Sequence, residues 1–289
     1  MNKKHLLFRK HMKRLFITSK IDNIKLAVEE FGNPIGSPIL LIHGFAQSYW
    51  CWKKQFFSTC LKDFRIISFD LRGHGRSEKP IKGMSYLDSR LWASDIASII
   101  DTLQLTRPII VAWSYSGLVV CDYLRHYGDS LLGGINFVSA RTKIGTHAAK
   151  RMSGSLFLEL APGFCSKNSK DRTISVERFL DNLTECKIAD PDFYEMLGYN
   201  LTVPVEVCQA LLQRSVDNDD IVSNLKTPTL ITHGDKDTSV LLSMAKHNHS
   251  LIPESQLSVY KETGHAPFYE KPERFNLELA RFVTDCFGS

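Results

Sequence analysis

The sequence predicts an α/β fold in which a mostly parallel central sheet is flanked by helices. Short apolar runs rich in β-branched residues recur along the chain. Segments long enough for a helix separate most of these runs, for example residues 86–103 and 117–127. Parallel strands require such crossovers, which are right-handed. Polar residues directly follow several of these runs. In open parallel sheets, ligands bind beyond these carboxyl ends of the strands.

The elements follow one another in a regular order up to residue 140. An antiparallel hairpin is predicted between Phe16 and Phe31, because Asp22 and Asn23 form a turn signal between two apolar segments. Six further strands are predicted, at residues 39–42, 65–69, 108–112, 135–139, 229–232 and 256–259. From residue 141 to about residue 224 the strand pattern stops and the composition is helical. This segment is therefore an insertion after the strand at 135–139.

The strand at 108–112 leads into a serine that has the setting of a nucleophile elbow. In such a turn the strand end packs against the start of a helix, so small residues are needed two positions before and after the nucleophile. Ala112 and Ser116 occupy these positions around Ser114, where two glycines are usual. Ser116 is a rival nucleophile, but it would have Leu118 where a small residue is required. Ser114 is therefore the predicted nucleophile, and Ser116 is structural.

Two later segments contain the groups that a serine nucleophile needs. A hydroxyl is weakly nucleophilic at neutral pH and requires a base, and a third group must orient that base. Asp235 and Asp237 follow the strand at 229–232, and His265 follows the last strand. The chain order Ser, Asp, His is that of an α/β-hydrolase triad and differs from the orders in chymotrypsin and subtilisin. We expect these residues to meet at one edge of the sheet.

These motifs resemble those of the α/β-hydrolase family, over roughly residue 21 to the C-terminus. Residues 43–46 form a glycine turn after a strand, residues 70–80 resemble the D-x-R-G-x-G-x-S-x-x-P loop, and residues 271–275 resemble the start of the last helix. Within the family the chain is most similar to small esterases, perhydrolases and cofactor-free haloperoxidase-type proteins with a helical cap. The resemblance implies an α/β-hydrolase fold.

The resemblance also implies roles for individual residues. A Gly-x-x-Asp run ends on the catalytic acid in this family, which favours Asp237 over Asp235. In some proteins of this fold the catalytic acid instead follows the strand that corresponds to residues 135–139. Residues 140–142, which follow that strand here, contain no acid. The oxyanion hole is expected to be formed by the backbone N–H groups of Phe45 and Tyr115.

The resemblance further divides the chain into segments. We expect a basic N-terminal arm at residues 1–20, core segments at residues 21–140 and 225–289, and a cap at residues 141–224. The cap of this family roofs the active site and shapes its pocket. Tyr49 and Trp50 are candidates for the aromatic wall of that pocket.

Composition excludes several other classes of function. The formal net charge is +5, but seven of the 36 basic residues lie in the first 20 positions, which leaves 29 against 31 acidic residues elsewhere. The body of the protein therefore has no basic footprint for nucleic acid. No phosphate-binding glycine motif suggests a nucleotide cofactor, and no His or Cys spacing suggests a metal. We expect no cofactor, no metal and no nucleic-acid partner.

Seven scattered cysteines without a C-x-x-C pair are typical of free thiols in a reducing compartment. No apolar run is long enough to cross a bilayer, and we expect a cytoplasmic protein. In the basic arm, Phe8, Met12, Leu15 and Phe16 recur at helical spacing, which is compatible with weak contact with an anionic membrane surface. A transit peptide is an alternative, and a solvated arm is favoured over both.

The predicted reaction is hydrolysis of small or medium apolar carboxylic esters through an acyl-enzyme on Ser114. Dehalogenases and epoxide hydrolases of this fold have an aspartate at the nucleophile position, so they are excluded. A perhydrolase or cofactor-free haloperoxidase-type activity is an alternative on the same triad. A C–C bond hydrolase is less favoured, because those enzymes often carry Trp after the catalytic histidine and Ala266 follows His265 here. A small-molecule receptor with slow or no turnover is the third alternative.

Overall fold

The structure is a computed structural model that describes residues 13–81 and 83–288. The strands are β1 (Lys13–Thr18), β2 (Lys25–Gly32), β3 (Pro38–Ile42), β4 (Arg65–Phe69), β5 (Ile109–Trp113), β6 (Gly134–Val138), β7 (Lys143–Ile144), β8 (Val216–Asp217), β9 (Thr229–Gly234) and β10 (Gln256–Tyr260). Within the described residues, eight strands form one sheet in the order β1-β2-β4-β3-β5-β6-β9-β10. β2 is antiparallel to both β1 and β4, and all later neighbours are parallel. The predicted mostly parallel sheet is confirmed.

Helices lie between most strands. The helices are α1 (Lys53–Phe56), α2 (Met84–Leu87), α3 (Ser89–Thr102), α4 (Ser116–Tyr127), α5 (His147–Arg151), α6 (Ser155–Phe164), α7 (Ser169–Asp181), α8 (Asp190–Leu201), α9 (Val205–Gln213), α10 (Asp219–Val222), α11 (Leu242–Leu251), α12 (Pro267–Glu270) and α13 (Pro272–Gly288). Every residue of β3, β5 and β6 is buried. This burial explains their almost continuous apolar sequences, because a parallel strand covered on both faces has no solvent side.

The predicted N-terminal hairpin is confirmed, with its turn between β1 and β2. Asn23 lies in that turn with a φ of 61°, a left-handed conformation that asparagine tolerates better than most residues. The hairpin begins at Lys13, so the predicted boundary of the basic arm at residue 20 is wrong. Residues 13–18 already belong to the sheet.

The proposed helical spacing of the arm is also wrong where the structure describes it. Leu15 and Phe16 lie in β1, paired with Val28 and Ala27 of β2. Leu15 packs against the core and Phe16 is exposed, because neighbouring side chains of a strand point to opposite faces. The remaining positions of the predicted pattern lie outside the described residues.

A helical insertion separates β6 from β9. It contains α5 to α10, and a small antiparallel sheet pairs Lys143 of β7 with Asp217 of β8 at its base. The sequence did not predict this sheet, because strands of two residues carry no readable alternation. The insertion contacts the core through aromatic rings, with Phe45 5.3 Å from Phe164 between centroids. Throughout residues 13–81 and 83–288, no helix combines the length and apolar character needed to cross a membrane.

Candidate active site

Ser114 occupies the sharp turn between β5 and α4. Its φ is 58°, which is unfavourable for a residue with a side chain. The turn is fixed on both sides by main-chain hydrogen bonds: the Ser114 N–H donates to the Val138 carbonyl at 3.0 Å, and the Ser114 carbonyl accepts from the Arg141 N–H at 2.9 Å. These contacts maintain the strained conformation that projects the hydroxyl above the sheet edge.

The residues around Ser114 explain how the turn tolerates side chains where glycines are usual. Ala112 is fully buried in β5. The Ser116 Oγ lies 2.9 Å from the carbonyl oxygens of both Ile42 and Trp113, so its hydroxyl donates its hydrogen bond to the backbone. This contact agrees with the structural role predicted for Ser116. A residue larger than serine would have to displace one of these carbonyl groups.

The structure brings Ser114, Asp237 and His265 together. Nε2 of His265 lies 2.9 Å from Oγ of Ser114, and Nδ1 lies 2.7 Å from Oδ2 of Asp237. An ionised carboxylate only accepts hydrogen bonds, so Nδ1 must carry the proton that Asp237 accepts. Nε2 of the neutral ring is then free to accept the hydroxyl proton of Ser114. All three side chains are buried.

Asp237 is oriented by the main chain of its own loop. Its Oδ1 accepts hydrogen bonds from the N–H groups of Ser239 and Val240, at 2.8 and 2.9 Å. Burial alone raises the pKa of this carboxyl, but the His265 ring and the hydrogen bonds outweigh burial and hold the pKa below its ordinary value. Asp237 is therefore ionised at neutral pH.

The main chain of His265 is held from two directions. Its N–H donates to the carbonyl of Leu183, in the insertion, at 2.8 Å, and its carbonyl accepts from Nε1 of Trp113 at 2.9 Å. Asp235, the other candidate acid, donates its backbone N–H to Tyr260, and its carboxylate makes no contact with the ring. The placement of the side chains therefore favours Asp237 over Asp235.

The two backbone donors predicted for an oxyanion hole lie beside Ser114. A Cβ at Gly44 would lie 3.0 Å from Cβ of Ser114, a tight contact that glycine avoids, so the loop after β3 can approach Ser114 closely. Phe45 follows directly, and Tyr115 precedes the first residue of α4. Within the described chain, neither the Phe45 N–H nor the Tyr115 N–H donates a hydrogen bond to the protein. Both are available to a ligand.

Two buried histidines tie the loops of the site together. Nε2 of His43 accepts from the Leu71 N–H at 3.0 Å, and Nε2 of His74 accepts from the Ala46 N–H at 3.2 Å. Burial lowers the pKa of His43 to about 4 and that of His74 to about 3. Both rings are therefore neutral near pH 7, as their acceptor nitrogens require.

The cavity at Ser114 is narrow, and aromatic rings form much of its wall. Its volume of about 10 Å³ is enough for roughly one water molecule. Sequence reasoning missed several lining residues, namely Gln47, Arg141, Ile144, Phe157, Phe179 and Ser239. Phe157 and Phe179 come from the insertion and lie in no recognisable motif. Their only signal is that an inserted helical segment must cover the sheet edge with apolar side chains.

The prediction that Tyr49 and Trp50 line this cavity is wrong. Ser48 caps a single 3₁₀ turn at Tyr49–Trp52, and neither ring is among the side chains that line the cavity. Tyr49 stacks on Phe56 with 6.2 Å between centroids, and Nε1 of Trp50 donates to Glu195 of the insertion at 2.6 Å. The Trp50 ring therefore joins the core to the insertion, and the Tyr49 ring packs within the core.

A second, larger cavity of about 400 Å³ adjoins the first and opens between helices of the insertion. Arg141, Ile144 and Phe157 line both cavities, so they form the partition between them. Among the described residues, no group of three His, Cys, Asp or Glu side chains is arranged to hold a metal ion. The polar side chains arranged at Ser114 are the imidazole of His265 and, behind it, the carboxylate of Asp237.

Residues 37–272 match the sequence profile of the alpha/beta hydrolase fold, and the chain belongs to this family. It is an enzyme of the α/β-hydrolase superfamily with esterases among its structural neighbours. The structure superposes on an esterase, RhEst1, from Rhodococcus sp. ECU1013 with a TM-score of 0.85 and 34% identity, covering 94% of this chain and 98% of that one. An esterase from Exiguobacterium antarcticum gives 0.84 at 26% identity, covering 94% and 100%.

Relatives known from sequence span almost the same length. The AB hydrolase superfamily protein YisY of Bacillus subtilis is 26% identical over 273 residues, which cover 90% of this chain and 96% of that protein. The non-heme chloroperoxidase CPO-A1 of Kitasatospora aureofaciens is 24% identical, with 91% and 97% covered. The resemblance read from the motifs is confirmed at the level of the family.

Proposed function

We propose that this protein is a serine hydrolase that cleaves carboxylic esters of small or medium apolar substrates through an acyl-enzyme on Ser114. One observation carries the proposal: the hydrogen bonds that run from Oγ of Ser114 through the His265 ring to the carboxylate of Asp237. These are the contacts that convert a weakly nucleophilic hydroxyl into an active one.

The proposed reaction has two halves. Oγ of Ser114 attacks the ester carbonyl carbon while its proton passes to Nε2 of His265. The C–O bond to the alcohol then breaks, and the alcohol leaves with that proton. In the second half a water molecule gives a proton to Nε2 and attacks the acyl carbon, which releases the carboxylic acid and restores Ser114. Asp237 stabilises the imidazolium that forms in each half.

The negative charge on the carbonyl oxygen is assigned to the N–H groups of Phe45 and Tyr115. Two features support this role: both N–H groups lack a protein acceptor within the described chain, and Gly44 brings the first loop against Ser114. Loss of one such donor costs about 3–4 kcal/mol of transition-state stabilisation in a well-studied protease. Because backbone groups supply both donors, the two side chains are free to shape the pocket.

The surroundings of Ser114 support an apolar substrate. We assign residues 141–224 as the cap, since Phe157 and Phe179 of this segment cover Ser114. The esterase neighbours fit a small-molecule ester as the partner. The seven cysteines are free thiols, which supports the cytoplasm as the proposed compartment.

The proposal is tested with a fluorophosphonate and a panel of 4-nitrophenyl esters from acetate to octanoate. We expect covalent labelling and ester turnover in the wild type, and loss of both in Ser114→Ala. Ser116→Ala is the matched control, because it removes a hydroxyl two residues away that contacts only backbone; it should retain labelling and turnover. Labelling or turnover that survives in Ser114→Ala would overturn the assignment.

A perhydrolase is the second candidate, because the chain resembles a non-heme chloroperoxidase over 91% of its length. It uses the same acyl-enzyme but replaces water with hydrogen peroxide. Peracid formation from acetate and peroxide at a rate above ester hydrolysis would favour it. Labelling without turnover of any ester would instead favour a small-molecule receptor.

A further inference from the structure

Arg141 is the charged side chain that the proposed reaction leaves unexplained. It follows β6 and lines both the cavity at Ser114 and the larger one beside it. Only 3% of its surface is exposed. Its Nη1 donates to Oγ of Ser153 at 2.6 Å, its Nη2 donates to the Ser239 carbonyl at 2.7 Å, and the guanidinium lies 4.6 Å from the ring centre of Phe157.

The guanidinium of Arg141 has no carboxylate partner within salt-bridge distance among the described residues. Two other arginines with buried guanidinium groups differ in this respect. Arg72 forms a salt bridge with Asp95 at 2.7 Å, and Arg214 forms one with Asp122 at the same distance. A buried charge is costly unless it is paired, so an unpaired guanidinium at a cavity wall indicates that the partner comes from outside the protein.

Spare donors remain on this side chain. A guanidinium carries five N–H groups, and the protein provides two acceptors, at Ser153 and Ser239. Burial lowers the pKa of Arg141 to about 10, so the group keeps its charge at neutral pH. The planar arrangement of the remaining N–H groups suits the two oxygens of a carboxylate.

The charged residues around the two cavities also indicate an anionic ligand. Arg141 and Lys150 are the ionised side chains that line the larger cavity, and no aspartate or glutamate lines either one. The carboxylate of Asp237, the acidic group in the neighbouring loop, is engaged by His265 and by two backbone N–H groups. The rest of the lining is mainly apolar. The cavities therefore combine apolar walls with a guanidinium that feels the charge of Asp237 from a distance but has no carboxylate in salt-bridge contact among the described residues.

We propose that Arg141 binds a carboxylate on the substrate, so that the preferred esters are apolar molecules that also carry one negative charge. This inference rests on the proposed ester hydrolysis and specifies its substrate class. The carboxylate can belong to the acyl part, as in a half-ester of a dicarboxylic acid, or to the alcohol part, as in an ester of a hydroxybenzoic acid. Both place the same chemical group beside the guanidinium.

Matched esters test this preference in the unaltered protein. For the acyl part, mono-4-nitrophenyl adipate is compared with 4-nitrophenyl hexanoate, which has the same chain length without the charge. For the alcohol part, 4-acetoxybenzoate is compared with 4-acetoxybenzamide. We expect kcat/KM to be higher for the anionic member of at least one pair, by about 10- to 100-fold. We also expect the corresponding free acid to inhibit hydrolysis of the neutral ester competitively.

Variants then assign the preference to Arg141. In Arg141→Met the ratio of kcat/KM for the anionic ester to that for the neutral ester should fall by about 10- to 100-fold, mainly through KM. Arg141→Lys should restore part of the ratio, because it keeps the charge and loses the planar geometry. The control is Arg178→Met, a half-exposed cap arginine paired with Glu159, which should leave the ratio unchanged.

The outcomes separate this inference from the proposed function. If the wild type hydrolyses neutral esters as well as anionic ones and no carboxylate inhibits, the inference is wrong while the hydrolase assignment stands. If Arg141→Met lowers kcat/KM equally for both members of a pair, Arg141 only positions the loop of Ser239, and the inference is again wrong. If no ester is turned over at all, the proposed function itself fails. Even if the variants do not fold, equal hydrolysis of both members of each pair by the wild type would overturn the inference.

Discussion

The loops at the carboxyl edge of the sheet and the helical insertion above them meet at one cavity, but different interactions hold them. In the loops, main-chain hydrogen bonds fix Ser114 and Asp237. Positive φ angles occur at Ala46, Ser114 and Ser139, which each lie at or near the end of a site-forming strand. In the insertion, residues 141–224, the structure has no such angle except at a glycine.

The insertion is joined to the core by a few main-chain hydrogen bonds, such as that from the His265 N–H to the Leu183 carbonyl, and also by side chains. Nζ of Lys53, in the core, lies 2.6 Å from carboxylate oxygens of both Asp192 and Glu195 in α8. The Tyr269 hydroxyl donates to the other oxygen of Asp192 at 2.6 Å. The main-chain hydrogen bonds at Ser114 and Asp237 preserve an exact arrangement of reacting groups, whereas the side-chain contacts of the insertion allow the cavity wall to vary. We therefore expect changes in the loops to alter the rate and changes in the insertion to alter the choice of substrate.

The largest effect should come from Asp237→Asn. The amide oxygen still accepts from the Ser239 and Val240 N–H groups, so its NH₂ faces Nδ1 of His265. The ring must then take the other tautomer, with Nε2 protonated and unable to accept the Ser114 proton. We expect kcat to fall about 10⁴-fold, as for the equivalent change in a serine protease. The measurement is steady-state hydrolysis of a 4-nitrophenyl ester.

The matched control for this change is Asp235→Asn in the same loop. Asp235 makes no contact with the His265 ring, so its variant should keep kcat within about threefold of the wild type. A loss in Asp235→Asn comparable to that in Asp237→Asn would show that the acid has been assigned to the wrong residue.

The buried loop histidines should make the stability of the protein depend on pH. The folded-state pKa values of His43 and His74, about 4 and 3, lie below the ordinary value of 6.5. Below pH 6.5 the unfolded chain binds protons that the folded protein does not, so stability falls as pH falls. Between pH 7.5 and 5.5 each histidine should lower the free energy of unfolding by about 1.4 kcal/mol. Urea unfolding at the two pH values measures this fall.

His74→Gln isolates one of the two contributions. The glutamine amide has an acceptor for the Ala46 N–H and a donor for the Arg72 carbonyl, so both contacts of the ring have a replacement. The fall in the free energy of unfolding between pH 7.5 and 5.5 should therefore shrink by about 1.4 kcal/mol. An unchanged dependence in the variant would mean that other groups cause it.

A smaller effect, on substrate choice, is expected from the insertion. Phe179 lines the cavity at Ser114 and packs against Phe164 with 5.5 Å between centroids. Phe179→Leu enlarges the cavity, so the ratio of kcat/KM for octanoate to that for acetate should rise up to about 10-fold. Phe193→Leu is the control, because Phe193 lies in the insertion but does not line this cavity. An equal change in both variants would show that the helices, not the wall, set the preference.

The same contrast explains what could be predicted from the sequence. Ser114, Asp237 and His265 lie in short motifs directly after strands, so local pattern and chain order were enough to place them together. Phe157 and Phe179 reach the cavity through the packing of whole helices, which no local pattern encodes. Arg141 carries the same signal as Ser114, since it closely follows a buried strand, but the family pattern at that position indicates only an acid.

The wrong predictions about side-chain placement have the same origin. Tyr49 and Trp50 follow the motif loop closely, but Tyr49 stacks on Phe56 and Trp50 donates to Glu195 of the insertion. Leu15 and Phe16 fit a helical spacing, and only pairing with β2 makes that segment a strand. In each case a tertiary contact, invisible in the local sequence, decides where an apolar side chain points.

The smallest effect should be a gain in stability at the nucleophile itself. The φ of 58° at Ser114 costs a residue with a Cβ about 1–2 kcal/mol, part of which glycine recovers. Ser114→Gly should therefore be more stable than Ser114→Ala by about 0.5–1 kcal/mol in urea unfolding. Because both variants lack the hydroxyl and its contact with His265, their difference reports the backbone strain minus the larger entropy that glycine loses on folding. A Ser114→Gly variant less stable than Ser114→Ala would mean that the strain at this position is smaller than that entropy cost.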